Sequence, residues 1–127
     1  MPEVDALHAC TIVSKNYLPF ARVLARSFLA HHPGSRVFVL LVDRVDGAFD
    51  PAGEPFELVP LEALEIPDLP GFVFKYTILE LNTAIKPWVF AALFARGYER
   101  VIYFDPDIRL YGPLQPFFDQ TWRPDDI

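Results

Sequence analysis

Asp105 and Asp107, two carboxylates separated by one residue, are the sharpest chemical feature of the sequence. A hard divalent cation prefers oxygen ligands, and such a pair can hold Mg2+ or Mn2+ while leaving coordination positions for diphosphate oxygens and water. A metal held there also stabilises charge that develops on a departing diphosphate. The same residue types are common in turns after strands, because an Asp side chain satisfies nearby backbone groups. The metal reading is favoured by what precedes the pair. Val101-Ile102-Tyr103-Phe104 is an apolar run that reads as a buried strand, so both aspartates stand at a strand's carboxyl end. Ligands of open α/β sheets bind in the crevice outside those ends. Asp43 ends another apolar run and can accept a ribose hydroxyl there, although Asp is equally normal at a loop start.

The elements that must position these residues can be read from periodicity. Residues 8–14 form a short mixed apolar strand, and Asn16 is placed to cap a helix running from Tyr17 to about Ala30, with Pro19 tolerated in its first turn. Phe20, Leu24 and Phe28 repeat every four residues toward a sheet, while Arg22 and Arg26 share another face. Pro33-Gly34 stops this helix. Residues 37–42 are apolar on both alternating faces, as in a parallel strand buried between layers, which completes a right-handed βαβ unit. A loop over 43–55 and a third strand over 56–59 follow. Residues 60–71 read as an irregular crossing with at most one helical turn, at 61–64. Ile78, Leu81, Ile85, Trp88 and Ala92 keep helical spacing, and Pro87 is expected to split that stretch into two helices, the second ending at Arg96-Gly97. Residues 108–111 suggest a short strand, and 112–127, with three prolines, a loosely organised end. The expected fold is α/β, a mostly parallel sheet flanked by helices, within one domain spanning residues 1–127.

Composition narrows the function. Hydrophobic residues make up 52% and charged residues 22% of the 127, a balance that suits a packed globule. A net charge of -6 opposes nucleic-acid binding, which needs clustered Lys and Arg. The run 37–42 is far shorter than the roughly 20 apolar residues of a membrane span, so no transmembrane segment is expected. Residues 1–5 are acidic rather than basic then apolar, which points to a cytoplasmic location. Cys10 is the only cysteine, which excludes an internal disulfide or a cysteine-based zinc cluster and leaves it the role of a small buried residue.

Three segments together resemble GT-A-fold glycosyltransferases, especially the glycogenin-like and family 8-like groups that use nucleotide-sugar donors. They are Thr11-Ile12-Val13-Ser14-Lys15-Asn16-Tyr17, Thr83-Ala84-Ile85-Lys86-Pro87-Trp88, and Tyr103-Phe104-Asp105-Pro106-Asp107. Their order and spacing match the Rossmann-like donor-binding half of the family, and the acceptor half is not represented. The resemblance implies a UDP-sugar donor, Asp105 and Asp107 as ligands of Mn2+ or Mg2+, and Lys86 near the diphosphate. It also implies Thr11, Ser14 and Asn16 along the base-binding edge, with Tyr17 stacking on the base. Pro106 departs from the family's usual Ala or Ser. The further metal-binding histidine of the family has no counterpart, since His8, His31 and His32 all precede the aspartates. Tyr17 as a packing residue and Lys86 as a solvated one remain the plain alternatives.

Two other functional classes fit in part. A haloacid-dehalogenase-like phosphatase also places an aspartate pair after an apolar strand, but it wants Thr or Val where Arg109 stands. A non-catalytic nucleotide-binding or assembly module would use exposed sheet edges to form a homo-oligomer. An EF-hand is excluded by Arg109 and Leu110 in its loop, and neither GxGxxG nor Walker A glycines are present.

Overall fold

Leu7–Val13 (β1) and Val37–Leu41 (β2) are buried at every position, which a strand achieves only when both faces of its sheet are covered. The computed structural model describes residues 6–43, 45–47, 49–76 and 78–114. The acidic start at 1–5 and the proline-bearing end beyond 114, both read above from sequence, lie outside the described residues. Glu57–Pro60 (β3) and Arg100–Tyr103 (β4) complete a four-stranded sheet of order β3-β2-β1-β4. All pairings are parallel. The register sets Cys10 of β1 between Phe38 of β2 and Tyr103 of β4.

Helices supply the covers. Leu18–His31 (α1) packs Leu18, Ala21, Leu24, Ala25 and Phe28 onto the sheet face that carries Ala9, Val39 and Phe104. Ile78–Ala95 (α3) packs Leu81, Ile85, Val89 and Leu93 onto the opposite face, against Cys10, Phe38, Val101 and Tyr103. The result is an α/β fold, a parallel sheet between helical layers, as the sequence predicts. No helix among the described residues is long and apolar enough to cross a membrane.

Several local expectations are corrected. Asn16 does not cap α1. A 3-10 turn, Lys15–Tyr17, intervenes, the helix starts at Leu18, and the Asn16 side-chain oxygen accepts from the Ser14 hydroxyl instead. Phe20 is 49% exposed, because each four-residue step drifts about 40° around a 3.6-residue helix and carries Phe20 off the buried arc. Pro87 does not split α3, which runs unbroken through it. An internal proline costs a helix about 3 kcal/mol, but four buried side chains at four-residue spacing each contribute roughly 1.5–3 kcal/mol. The proline itself faces outward.

The crossing segment forms its 3-10 turn at Leu61–Leu64 and then a short helix, Leu69–Phe74 (α2), that periodicity missed. Asp68 before it has a left-handed φ of 48°, and its carboxylate occupies the space a Cβ on residue 71 would need, so a larger residue there would require the Asp68 side chain to shift. Strand β4 is half-buried rather than buried, since it lies at the sheet edge with β1 as its neighbour. No strand forms at 108–111. The backbone N–H of Leu110 donates instead to Ser27 Oγ at 2.9 Å, which ties this segment to α1.

His31 ends α1, where its position suits the helix dipole. His32 serves differently: it is buried, stacks on Phe28 at 4.6 Å, and accepts the Leu114 N–H at Nε2 over 3.0 Å. Burial lowers its pKa, with a smaller push from His31, so the neutral acceptor form is the one the fold holds.

Substituting Ile85, which is fully buried on α3, by Ala should lower unfolding free energy by about 2–5 kcal/mol through cavity formation. Pro87→Ala should raise it, by up to about 3 kcal/mol, because the missing N–H and the steric clash are removed. Urea denaturation of both variants checks this, and a stabilising Ile85→Ala would contradict the packing described.

Candidate functional site

The sheet places its chemistry by reversing direction. From β1 the chain crosses over α1 to β2 on one side, whereas α3, on the other face, delivers β4 to β1's opposite flank. Two neighbouring strands whose connections leave in opposite directions open a crevice at their carboxyl ends. Here those strands are β1 and β4, and their ends are followed by Ser14-Lys15-Asn16-Tyr17 and by Asp105-Pro106-Asp107.

On the β4 side the ladder continues one step, with the Phe104 N–H donating to the Cys10 carbonyl at 3.0 Å. A β-turn follows. The Ile108 N–H donates to the Asp105 carbonyl at 3.1 Å, with Pro106 in the second position of the turn, where its fixed φ is favoured. Asp105 and Asp107 are both exposed on this turn. Among the described residues no group of three or more His, Cys, Asp and Glu side chains gathers as a metal cluster. The pair offers hard oxygen donors on one turn, the chemistry that Mg2+ or Mn2+ accepts when a ligand and water complete the shell.

On the β1 side, Asp43 clasps the neighbouring turn. Both its carboxylate oxygens accept the Lys15 backbone N–H, each at 3.1 Å, while Lys15 Nζ reaches Asp46 at 3.4 Å. The Tyr17 N–H donates to the Ser14 carbonyl at 3.0 Å and closes the 3-10 turn. Tyr17 is 48% exposed, and its ring leans on Phe20 at 5.9 Å. Thr11 lies elsewhere: it is wholly buried inside β1, near the Tyr103 phenol of the neighbouring strand.

Lys86 approaches the rim from α3. Its ammonium lies 4.3 Å from the Tyr103 ring centroid, a cation–π contact that fixes positive charge at the last residue of β4. Tyr103 has its phenol pushed up to about 12 by burial, with the Asp105 carboxylate adding to the effect. The structure therefore brings Lys86, Tyr103 and Asp105 into one electrostatic neighbourhood. Cys10 joins it from below: burial pushes its thiol up to about 12, against the pull of the Lys86 charge. Sequence reasoning named Lys86 without its aromatic partner. Strand alternation holds that signal, because Tyr103 lies two residues from Val101 and so faces α3. Asn82, one turn before Lys86, was also missed; its buried Oδ1 has no partner among the described residues. An Asn inside a helix, where it competes poorly, is the clue to look for.

Among solved structures, the chain is similar to galactosyltransferase LgtC in complex with donor and acceptor sugar analogs, with a TM-score of 0.50 and 18% sequence identity over 91% of this chain and 43% of that one. An active-site mutant of LgtC is similar over 91% of this chain and 42% of its own, also with a TM-score of 0.50 and 18% identity. The chain shares the α/β fold of these structures. Identity at that level carries the fold alone, and the chain spans less than half the length of these structures. No protein-family model and no curated protein matches the chain.

Two weak acids shielded by the fold, Cys10 and Tyr103, give a pH signature. The Cys10 thiol and Tyr103 phenol release protons near 9.0 and 10.0 when unfolded but at about 12 when folded. The unfolded chain therefore loses protons first, and stability should fall as pH rises from about 9 toward 12. Urea midpoints should decline across that window, and less steeply in Tyr103→Phe. Midpoints that stay level from pH 9 to 11 would show that neither group is shielded.

Proposed function

We propose that residues 1–127 serve as one nucleotide-sugar-binding domain of a glycosyltransferase, of the glycogenin-like or family 8-like kind, acting in the cytoplasm on an acceptor still to be found. The observation that carries this reading is the Asp105-Pro106-Asp107 turn at the carboxyl end of β4, beside β1, where the sheet reverses direction. The donor is a UDP-sugar. Asp105 and Asp107 would hold Mn2+ or Mg2+, which would supply Lewis-acid stabilisation of charge on the diphosphate leaving group. The similarity to LgtC, whose structure was obtained with donor and acceptor sugar analogs, supports the assignment.

The remaining roles fall to the chain's own side chains. Lys86, steadied over Tyr103, presents an ammonium to the diphosphate. The half-exposed Tyr17 ring offers a stacking surface for the base. Ser14 and Asn16 line the same edge, and Asp43 holds their turn in place while keeping lone pairs for a ribose hydroxyl. Thr11 acts from within β1, beneath that edge. Self-association through the sheet edges is a further expectation of this reading.

Calorimetry with UDP, with and without Mn2+, provides the test. Affinity should depend on the metal, and Asp105→Ala or Asp107→Ala should weaken UDP-Mn2+ binding by at least about 100-fold, since metal bridging is worth several kcal/mol. Circular dichroism of both variants should be unchanged, because exposed loop carboxylates rarely support a core. Equal UDP-Mn2+ affinity in wild type and both variants would remove the basis for the assignment.

A further inference from the structure

Beside the strand-end rim, two arginines meet in one place with no carboxylate among the described residues paired to either. Arg26 and His31 on the outer flank of α1 face Arg109, on the segment after the aspartate turn, across an open cavity of about 390 Å³. The chain carries 17 acidic residues against 11 Lys and Arg, so acids are available to pair with its arginines. Arg22 pairs with Glu54 at 2.7 Å, and Arg36 and Arg96 share Glu57 at 3.2 Å each. Arg26 and Arg109 have no carboxylate partner among the described residues.

Their juxtaposition is built rather than incidental. Ser27 donates to the Leu24 carbonyl at 3.0 Å and accepts the Leu110 N–H at 2.9 Å, which pins the residue after Arg109 to the helix that carries Arg26. The Arg109 guanidinium lies 5.4 Å from the Tyr111 ring centroid, a cation–π contact beside the cavity. Holding two guanidiniums around one space is repulsive until an anion enters it. Guanidiniums match phosphate oxygens with paired hydrogen bonds, and the cavity exceeds what a bare phosphate fills.

We propose that this cleft binds a phosphate monoester, with Arg26 and Arg109 donating to its oxygens, His31 beside them, and Val23 and Leu110 lining its apolar part. The site adjoins the rim at Arg109, two residues after Asp107, and extends away from it along α1, where Ser27 and His31 belong to the half of the helix that has run back toward the amino edge of the sheet. It does not depend on the donor assignment. The phosphate can come from a soluble phosphorylated metabolite or from a lipid headgroup.

Three probes separate these sources on the intact chain: inorganic phosphate, glycerol 3-phosphate, and phosphatidic acid in phosphatidylcholine vesicles against phosphatidylcholine alone. Binding of glycerol 3-phosphate supports the site with a soluble source, and binding confined to phosphatidic acid vesicles supports it with a headgroup. In either case Arg26→Gln with Arg109→Gln should weaken binding by at least about tenfold, while Lys86→Gln should leave it unchanged. Silence from all three probes, affinity that survives the double variant, or loss in Lys86→Gln alone would each overturn the proposal, the last by placing the anion at the rim.

Discussion

Two-sided burial of β1 and β2 is the constraint on which the rest of the molecule depends. Twelve consecutive-strand positions without exposure, seven in β1 and five in β2, oblige the chain to put one helix on each face. Once α1 and α3 occupy opposite faces, β4 can reach the sheet only on the far side of β1. The direction reversal follows from that, and so does the crevice. Burial thus decides where the aspartates stand, although neither aspartate is buried.

Polar interactions then fix details that burial leaves loose. The loop after β1 has no apolar anchor of its own, and the Asp43 carboxylate supplies one by gripping the Lys15 N–H. Lys86 is a long, flexible side chain, and the Tyr103 face gives its charge a location. The Arg22–Glu54 pair does the same for the loop before β3, with three short contacts between one guanidinium and one carboxylate. Glu54 is 9% exposed in that pair, so water competes little for it.

The legible part of the sequence was the part governed by periodicity. The doubly apolar run at 37–42 announced a central parallel strand, and the apolar run before Asp105 announced the strand that carries the aspartates. The misread parts were governed by competition between distant groups. Local preference argued that Pro87 breaks a helix; four buried partners on the sheet outweighed it. Alternation suggested a strand at 108–111, where a serine 83 positions away captured the backbone donor instead. Asn16 had the right chemistry for a cap, but the Ser14 hydroxyl engaged it first. Of the proposed site, the residues at the strand ends came from pattern, whereas the Lys86–Tyr103 contact required two elements to be seen together.

The Ser27 hydroxyl, bonded within α1 and to Leu110, gives the helix a second duty. One end of α1 sets Tyr17 beside β1, and its middle sets the chain that leaves Asp107, so the same rigid rod gauges the span between both banks of the crevice. Ten residues of helix fix that gauge at about 15 Å. Inserting a single residue between Tyr17 and Ser27 would rotate one bank against the other by about 100°. The helix therefore tolerates exchange of its outward side chains far better than any change in its length.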